Sequence, residues 1–159
     1  MKLHRASRAS THASGFTLVE MLITMAIFAI LTATALPSLK DFVANQRVRS
    51  VATDLHTSLL RARSEAIKRN GNVVVRPRGG SWTNGWEVID PNEPARPIDV
   101  KSDVKSVGFV AAPLAYRSSG RLAATGTQSI EVYSTVSTEA RRCVRTTLSG
   151  RPYVEMGGC

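Results

Sequence analysis

The sequence is poor in the residues that carry out chemistry. Its 159 residues include two cysteines and three histidines, and two thiols by themselves cannot form a closed zinc site, which takes four ligands. It contains no Gly-rich phosphate loop, no His/Cys/carboxylate cluster at ligand spacing and no serine set in a nucleophile motif. The one glycine pair that resembles a phosphate loop, in Arg78-Gly79-Gly80-Ser81, reads more simply as a turn. These absences point away from metal, nucleotide and hydrolase sites, and the expectation is a structural subunit with no catalytic residue, cofactor or metal. Acids are scarce too, at 12 against 21 basic side chains, a formal net charge of +9 that favours an anionic partner. The first fifteen residues, MKLHRASRASTHASG, contain no acid at all but hold Lys2, Arg5 and Arg8. Without them the chain would keep 18 basic and 12 acidic side chains, a charge of +6.

The next segment is the most uneven feature of the chain. Residues 16–36, FTLVEMLITMAIFAILTATAL, are apolar or small apart from scattered threonines and Glu20. As a helix the run is long enough to cross a hydrocarbon layer of about 30 Å. Positive charge before it and no comparable cluster directly after it place the N-terminus in the cytoplasm and the bulk of the chain outside. An oxidising compartment suits Cys143 and Cys159, read as one disulfide worth about 3 kcal/mol in the chain-entropy model. A secretory signal has its apolar region before the cleavage site, yet the small residues Ala13, Ser14 and Gly15 precede this one. Three readings are open: a cut after Gly15 that keeps the apolar helix, a conventional cut near Ala33–Ala35 that removes it, or an uncut anchor. A carboxylate costs about 2.5–3.5 kcal/mol near the centre of a membrane helix, so Glu20 either sits at headgroup level or has a function. A cut after Gly15 would free the amine of Phe16 one helical turn from it.

Beyond Pro37, which is expected to kink the helix, periodicity resumes. Val48, Val51, Leu55, Leu59, Ala62 and Ala66 recur at three or four residues and make one apolar stripe. Arginines and lysines fill most of the other faces, with Arg61–Glu65 a candidate i,i+4 pair, and Asn70-Gly71 supplies a stop. The pattern predicts one long helix over about 16–70. From 72 onward short β-rich runs alternate with Gly, Pro, Asn and Ser: 72–76, 85–89, 107–111, 129–134, 143–148 and 151–156. The stretch DPNEPARPIDVKSDVK between Ile89 and Val107 reads as an exposed loop. The fold class is α+β, a long helix packed on an antiparallel sheet. The organisation expected is 1–15, 16–36, 37–71 and 72–159: leader, membrane helix, amphipathic continuation and β-rich domain. Trp82 and Trp86 read as packing residues, and His56 as a lone histidine without a partner.

The string GFTLVEMLITMAIFAIL resembles the processing motif of type IV pilins and pseudopilins. RARSEAIKRNGNVVV, then WTNGWEVID and a late Gly- and Cys-containing tail, resemble the GspH/FimT group of minor pilins and minor pseudopilins. The resemblance implies the type IV pilin fold, a prepilin peptidase that cuts after Gly15 and methylates Phe16, and Glu20 as the carboxylate that assists assembly. It implies other pilins as partners through the N-terminal helix. It further implies an inner-membrane precursor with its β-rich domain in the periplasm, and a place in a type IV pilus or in a type II secretion pseudopilus. The resemblance also points to DNA uptake during natural transformation, in which some FimT-like members are implicated through basic residues in the C-terminal region. Here Arg141, Arg142 and Arg145 surround Cys143, and Arg151 comes after a turn read at Ser149-Gly150. Gly150-Arg151 is followed by Pro152 and Tyr153 rather than by another arginine. A turn at Ser149-Gly150 opposes Arg145 to Val154 and sends Glu155 to the other face. Two readings are open for the four guanidinium groups: a solvated or pilus-contacting basic surface, or a site that binds phosphate with Tyr153 available to stack on a base.

Overall fold

The computed structural model describes residues 15–102 and 104–159, apart from the side chains of 35–37. The leader up to residue 14, with His4 and His12, lies outside the described residues, and so does the side chain of Pro37, where a kink is expected.

Helix α1 spans Leu18–Lys68. It starts there because Thr17 caps it: the Glu20 amide donates to Thr17 Oγ1 at 3.2 Å, which satisfies one of the orphan donors of the first turn. Glu20 in that turn also suits the helix dipole. At the other end Asn70 takes the left-handed conformation, with φ 50°, and the Gly71 amide closes back onto the Ala66 carbonyl at 3.1 Å. The stop read at Asn70-Gly71 thus uses the asparagine, not the glycine, as the left-handed residue.

The chain divides into two compact units, one ending at Pro37 and one comprising Ser38–Cys159. In the first, every large apolar side chain from Phe16 to Leu31 is between 53% and 79% exposed. Its threonines need no outside partner: Thr24 Oγ1 donates to the Met21 carbonyl at 2.9 Å, Thr32 to Phe28 at 2.9 Å and Thr34 to Leu31 at 2.9 Å.

In the second unit the apolar stripe is buried, with Val48, Leu55, Leu59, Ala62 and Ala66 at 0% exposure. Each fully buried leucine contributes about 1.5–3 kcal/mol. The stripe packs into a core shared with two four-stranded antiparallel sheets. The strands are β1 Val73–Arg78, β2 Ser81–Ile89, β3 Asp99–Ser102, β4 Val107–Val110, β5 Leu114–Tyr116, β6 Gln128–Ser134, β7 Arg141–Thr146 and β8 Pro152–Met156. One sheet has the order β3-β2-β1-β5 and the other β4-β6-β7-β8. Gly79 and Gly80, both at positive φ (56° and 80°), make the tight β1–β2 turn. Trp82 and Trp86 pack against Phe109 of β4 with centroids 6.0 and 6.2 Å away, so both tryptophans are core residues.

Three local expectations change. β3 lies inside the Pro-rich stretch that reads as a loop; it is an edge strand that begins after Pro97, introduced by the Ile98 amide donating to the Val88 carbonyl at 2.7 Å. β5 has only three residues, too few for a visible alternation. The Arg61–Glu65 pair gives way to tertiary geometry. Arg61 reaches Asp99 of β3 at 3.4 Å, and Glu65 takes Arg69 at 2.8 Å and Lys68 at 3.8 Å. The hydrogen bond from Arg69 holds the Glu65 carboxyl below its ordinary pKa.

Candidate functional site

The N-terminal motif is laid out on the first turn of α1. Among the described residues other than its chain neighbours, none comes within 4 Å of where a Cβ on Gly15 would stand, and Phe16 beside it is 79% exposed. Nothing among the described residues crowds the Gly15–Phe16 bond. Glu20 lies one turn later, and among the described residues its carboxylate has no hydrogen-bond or ion-pair partner. An unpaired acid on an otherwise apolar, exposed helix is available to a cation from outside that helix. Sequence reasoning passes over Thr17, although Thr-x-x-Glu before an apolar run is a capping signature.

The four tail arginines do not form one free cluster. Cys143 and Cys159 are bonded, with an S–S length of 2.08 Å. The hairpin that carries them has a different register from the one a Ser149-Gly150 turn implies. Its loop is three residues long: the Gly150 amide, at φ 82°, donates to the Thr147 carbonyl at 2.8 Å, and the Thr147 amide donates to the Arg151 carbonyl at 3.1 Å. Arg145 therefore opposes Tyr153, and Cys143 opposes Glu155. A shift of one residue moves every β8 side chain to the other face. Glu155 consequently lies on the face of Arg145, with its Oε2 2.9 Å from Arg145 Nε. On the same face Glu131 of β6 pairs with Arg141 at 3.1 Å. Arg142 points to the opposite face, half-buried, and donates to the Arg141 carbonyl. Two of the four predicted phosphate binders are thus neutralised by carboxylates, one from each strand that flanks β7.

Arg151 has different company. Gly150 meets Gly120 so closely that a Cβ on it would stand 1.9 Å from the Gly120 carbonyl oxygen. Arg63 of α1 donates to that same oxygen at 3.1 Å. Gly120 belongs to the turn closed by the Arg117 amide on the Arg121 carbonyl at 2.9 Å. The turns that carry Arg117, Arg121 and Arg151 therefore touch at their glycines, with Arg63 bonded to one of them; the Arg117 side chain donates to the Ala123 carbonyl at 3.4 Å, and no salt bridge joins any of the four to a described acid. Below them Tyr116 is buried, which pushes its pKa up to about 12 against the opposing influence of Thr146 and Arg63. The spacing of Arg117 and Arg121 in sequence carries no signal that links them to Arg63 or Arg151. Among the described residues no three His, Cys, Asp or Glu side chains come together as a metal site.

A helix with an exposed apolar start, continued into a stretch packed on antiparallel sheets, defines a pilin-like subunit. Residues 51–150 match the family model described as Type II transport protein GspH, and residues 10–36 match the prokaryotic N-terminal methylation motif. The chain belongs to the GspH family. Two crystal structures of the type IV minor pilin FimU of Pseudomonas aeruginosa (strain PAO1) are similar in fold. At 18% identity they superpose with TM-scores of 0.58 and 0.61, covering 67% and 72% of this chain and 91% and 92% of theirs. The fold is that of a type IV pilin. No curated protein matches the chain.

Proposed function

We propose that this chain is a minor pilin of a type IV pilus, made as an inner-membrane precursor and cut after Gly15 by a prepilin peptidase. The mature Phe16 amine is methylated, and Glu20 meets the amine of an adjoining subunit as the apolar helices bundle in the filament. Before assembly the unit Ser38–Cys159 lies in the periplasm. The observation that carries this reading is the lone unpartnered Glu20 on an apolar helix whose large side chains are all exposed, one turn from the Gly15–Phe16 bond. Such a surface needs a cover that the described chain does not supply, and lipid followed by other pilin helices would supply it. Mass spectrometry of the protein from its native host tests the processing. N-methyl-phenylalanine at Phe16 is the expected terminus; an intact Met1 or a start near Leu36 would overturn the reading. The same architecture suits a minor pseudopilin of a type II secretion system. Deletion separates the two: loss of pili with secretion intact is expected, and loss of protein secretion with pili intact would assign the pseudopilus.

A second reading, DNA capture during uptake, is favoured by one observation, the four arginines around the Gly120–Gly150 contact. The phosphate surface then centres on Arg151 with Arg63, Arg117 and Arg121, while Arg141 and Arg145 stay engaged with Glu131 and Glu155. Duplex DNA should bind the full chain in detergent with a steep salt dependence. Replacing Arg117, Arg121 and Arg151 together should remove the binding, and Arg141→Gln with Arg145→Gln should leave most of it. Salt-insensitive binding, or the reverse pattern of losses, would refute this reading.

A further inference from the structure

The edge of the β4-β6-β7-β8 sheet is open at β8, and the backbone geometry shows which groups it offers. In an antiparallel ladder, hydrogen-bonded and non-hydrogen-bonded pairs alternate. The Thr147 amide donates to Arg151 at 3.1 Å and the Gly157 amide to Arg141 at 3.2 Å, so the pairs at Arg151, Tyr153, Glu155 and Gly157 point their backbone groups at β7. The backbone groups of Pro152, Val154 and Met156 point the other way. Pro152 offers only its carbonyl, whereas Val154 and Met156 each offer an amide and a carbonyl, and none of these has a partner among the described residues. Nothing in the tail covers them. Gly157, at φ 88°, turns the chain aside, and Cys159 is held on the outer face by Cys143 and by Arg145, which donates to its carbonyl at 3.2 Å.

Proteins usually blunt such an edge with charge or a bulge. Here Pro152 protects only the start, and the one charge on the strand, Glu155, is turned to the other face and paired with Arg145. Val154 and Met156 are 41% and 87% exposed. Beside the strand lies a groove of about 730 Å³ whose lining includes His56 and Leu60 of α1 with Arg151, Pro152 and Val154. Leu60 is 42% exposed although it lies on the packed part of the helix. The groove contains a cation and an imidazole and no acid.

We propose that β8 is a docking edge which takes an extended segment of a partner protein as a fifth strand of this sheet. The segment pairs its backbone with Val154 and Met156, sets apolar side chains on alternate positions against Leu60 and Val154, and places a carboxylate beside Arg151. Backbone pairing supplies affinity, and the alternating pockets supply selectivity. A soluble helix or a membrane surface would leave the row of amides and carbonyls unmet.

The test uses the full-length protein in detergent micelles and a synthetic octapeptide of alternating valine and threonine with one terminal glutamate. Amide hydrogen exchange is read at Val154, Met156, Tyr153 and Glu155. Saturating peptide should slow exchange at Val154 and Met156 by at least about tenfold, and leave Tyr153 and Glu155, already paired to β7, unchanged. A peptide N-methylated at alternate residues should not bind. Val154→Pro, which removes an outward amide and no bond to β7, should weaken binding by about tenfold or more with its melting temperature kept. If that variant fails to fold, the exchange pattern of the unaltered protein decides. No binding at millimolar peptide, or binding that leaves Val154 and Met156 unprotected, would overturn the proposal. So would protection that grows with protein concentration in the absence of peptide, which would give the edge to a second copy of this chain.

Discussion

The two stretches of α1 have the same backbone and opposite relations to their surroundings. Between Leu18 and Thr34 apolar side chains occupy all faces of the helix and are exposed; between Ala44 and Ala66 they occupy one stripe and are buried. The first stretch is apolar in all directions because its cover comes from outside the described chain, as lipid or other helices. The second carries charges on its remaining faces because its cover is one sided and comes from its own sheets. A helix that is apolar all round therefore reports a missing environment, and a striped one reports a present core.

Substitutions put that contrast to the test. The largest effect should come from Leu59→Asp, which puts a charge where exposure is 0%; a loss on the order of 4 kcal/mol or more should abolish the cooperative melting of Ser38–Cys159. A well-folded Leu59→Asp variant would mean that the stripe does not support that unit. Next is the staple. Cys143→Ser with Cys159→Ser should cost about 3 kcal/mol, read as a lowered denaturant midpoint under non-reducing conditions. Phe28→Ala, at a site 66% exposed, should leave melting of the second unit within about 0.5 kcal/mol while weakening retention in the membrane fraction. A melting shift as large as that of a core leucine would erase the distinction between the stretches. The smallest effect concerns pH. Since Glu65 has a folded pKa lowered from 4.5, mainly by Arg69, its contribution is present above that value and lost as pH falls through the lower folded one. Glu65→Gln should slightly flatten the stability profile on that acid side, and an unchanged profile would show the ion pair to be inert.

Legibility divides along the same physical line. The stripe Val48, Val51, Leu55, Leu59, Ala62 and Ala66 is readable because 3.6-residue periodicity is local, and all six are buried. The tryptophans read as packing residues, and both lie in the core. β3 and β5 are not readable, since four- and three-residue strands carry too few positions to show a period. The hairpin turn is located correctly from sequence but its length is not. Ser149-Gly150 reads as a two-residue turn, and the inclusion of Leu148 in a three-residue loop reverses the face of Glu155. That single residue changes the basic tail from a free cluster to a partly neutralised one. Glu131 cannot be assigned to Arg141 in advance, because the register of β6 on β7 depends on the conformation of the six-residue connection between them.

The order of the N-terminal parts needs no coordinates: basic segment, Gly15, Phe16, Glu20 and an apolar run. Their meaning lies in local spacing and in contrast with an ordinary signal. The long helix and its stripe are equally local, and the sequence suffices for them too. Which charges are free is a matter of tertiary structure. Arg141 and Arg145 are paired, Arg151 follows a glycine turn that abuts the one Arg63 bonds, and the amides of Val154 and Met156 face outward. Charge pairing and open edges depend on strand register and on contacts between residues far apart in the chain, which one residue in a loop can reverse.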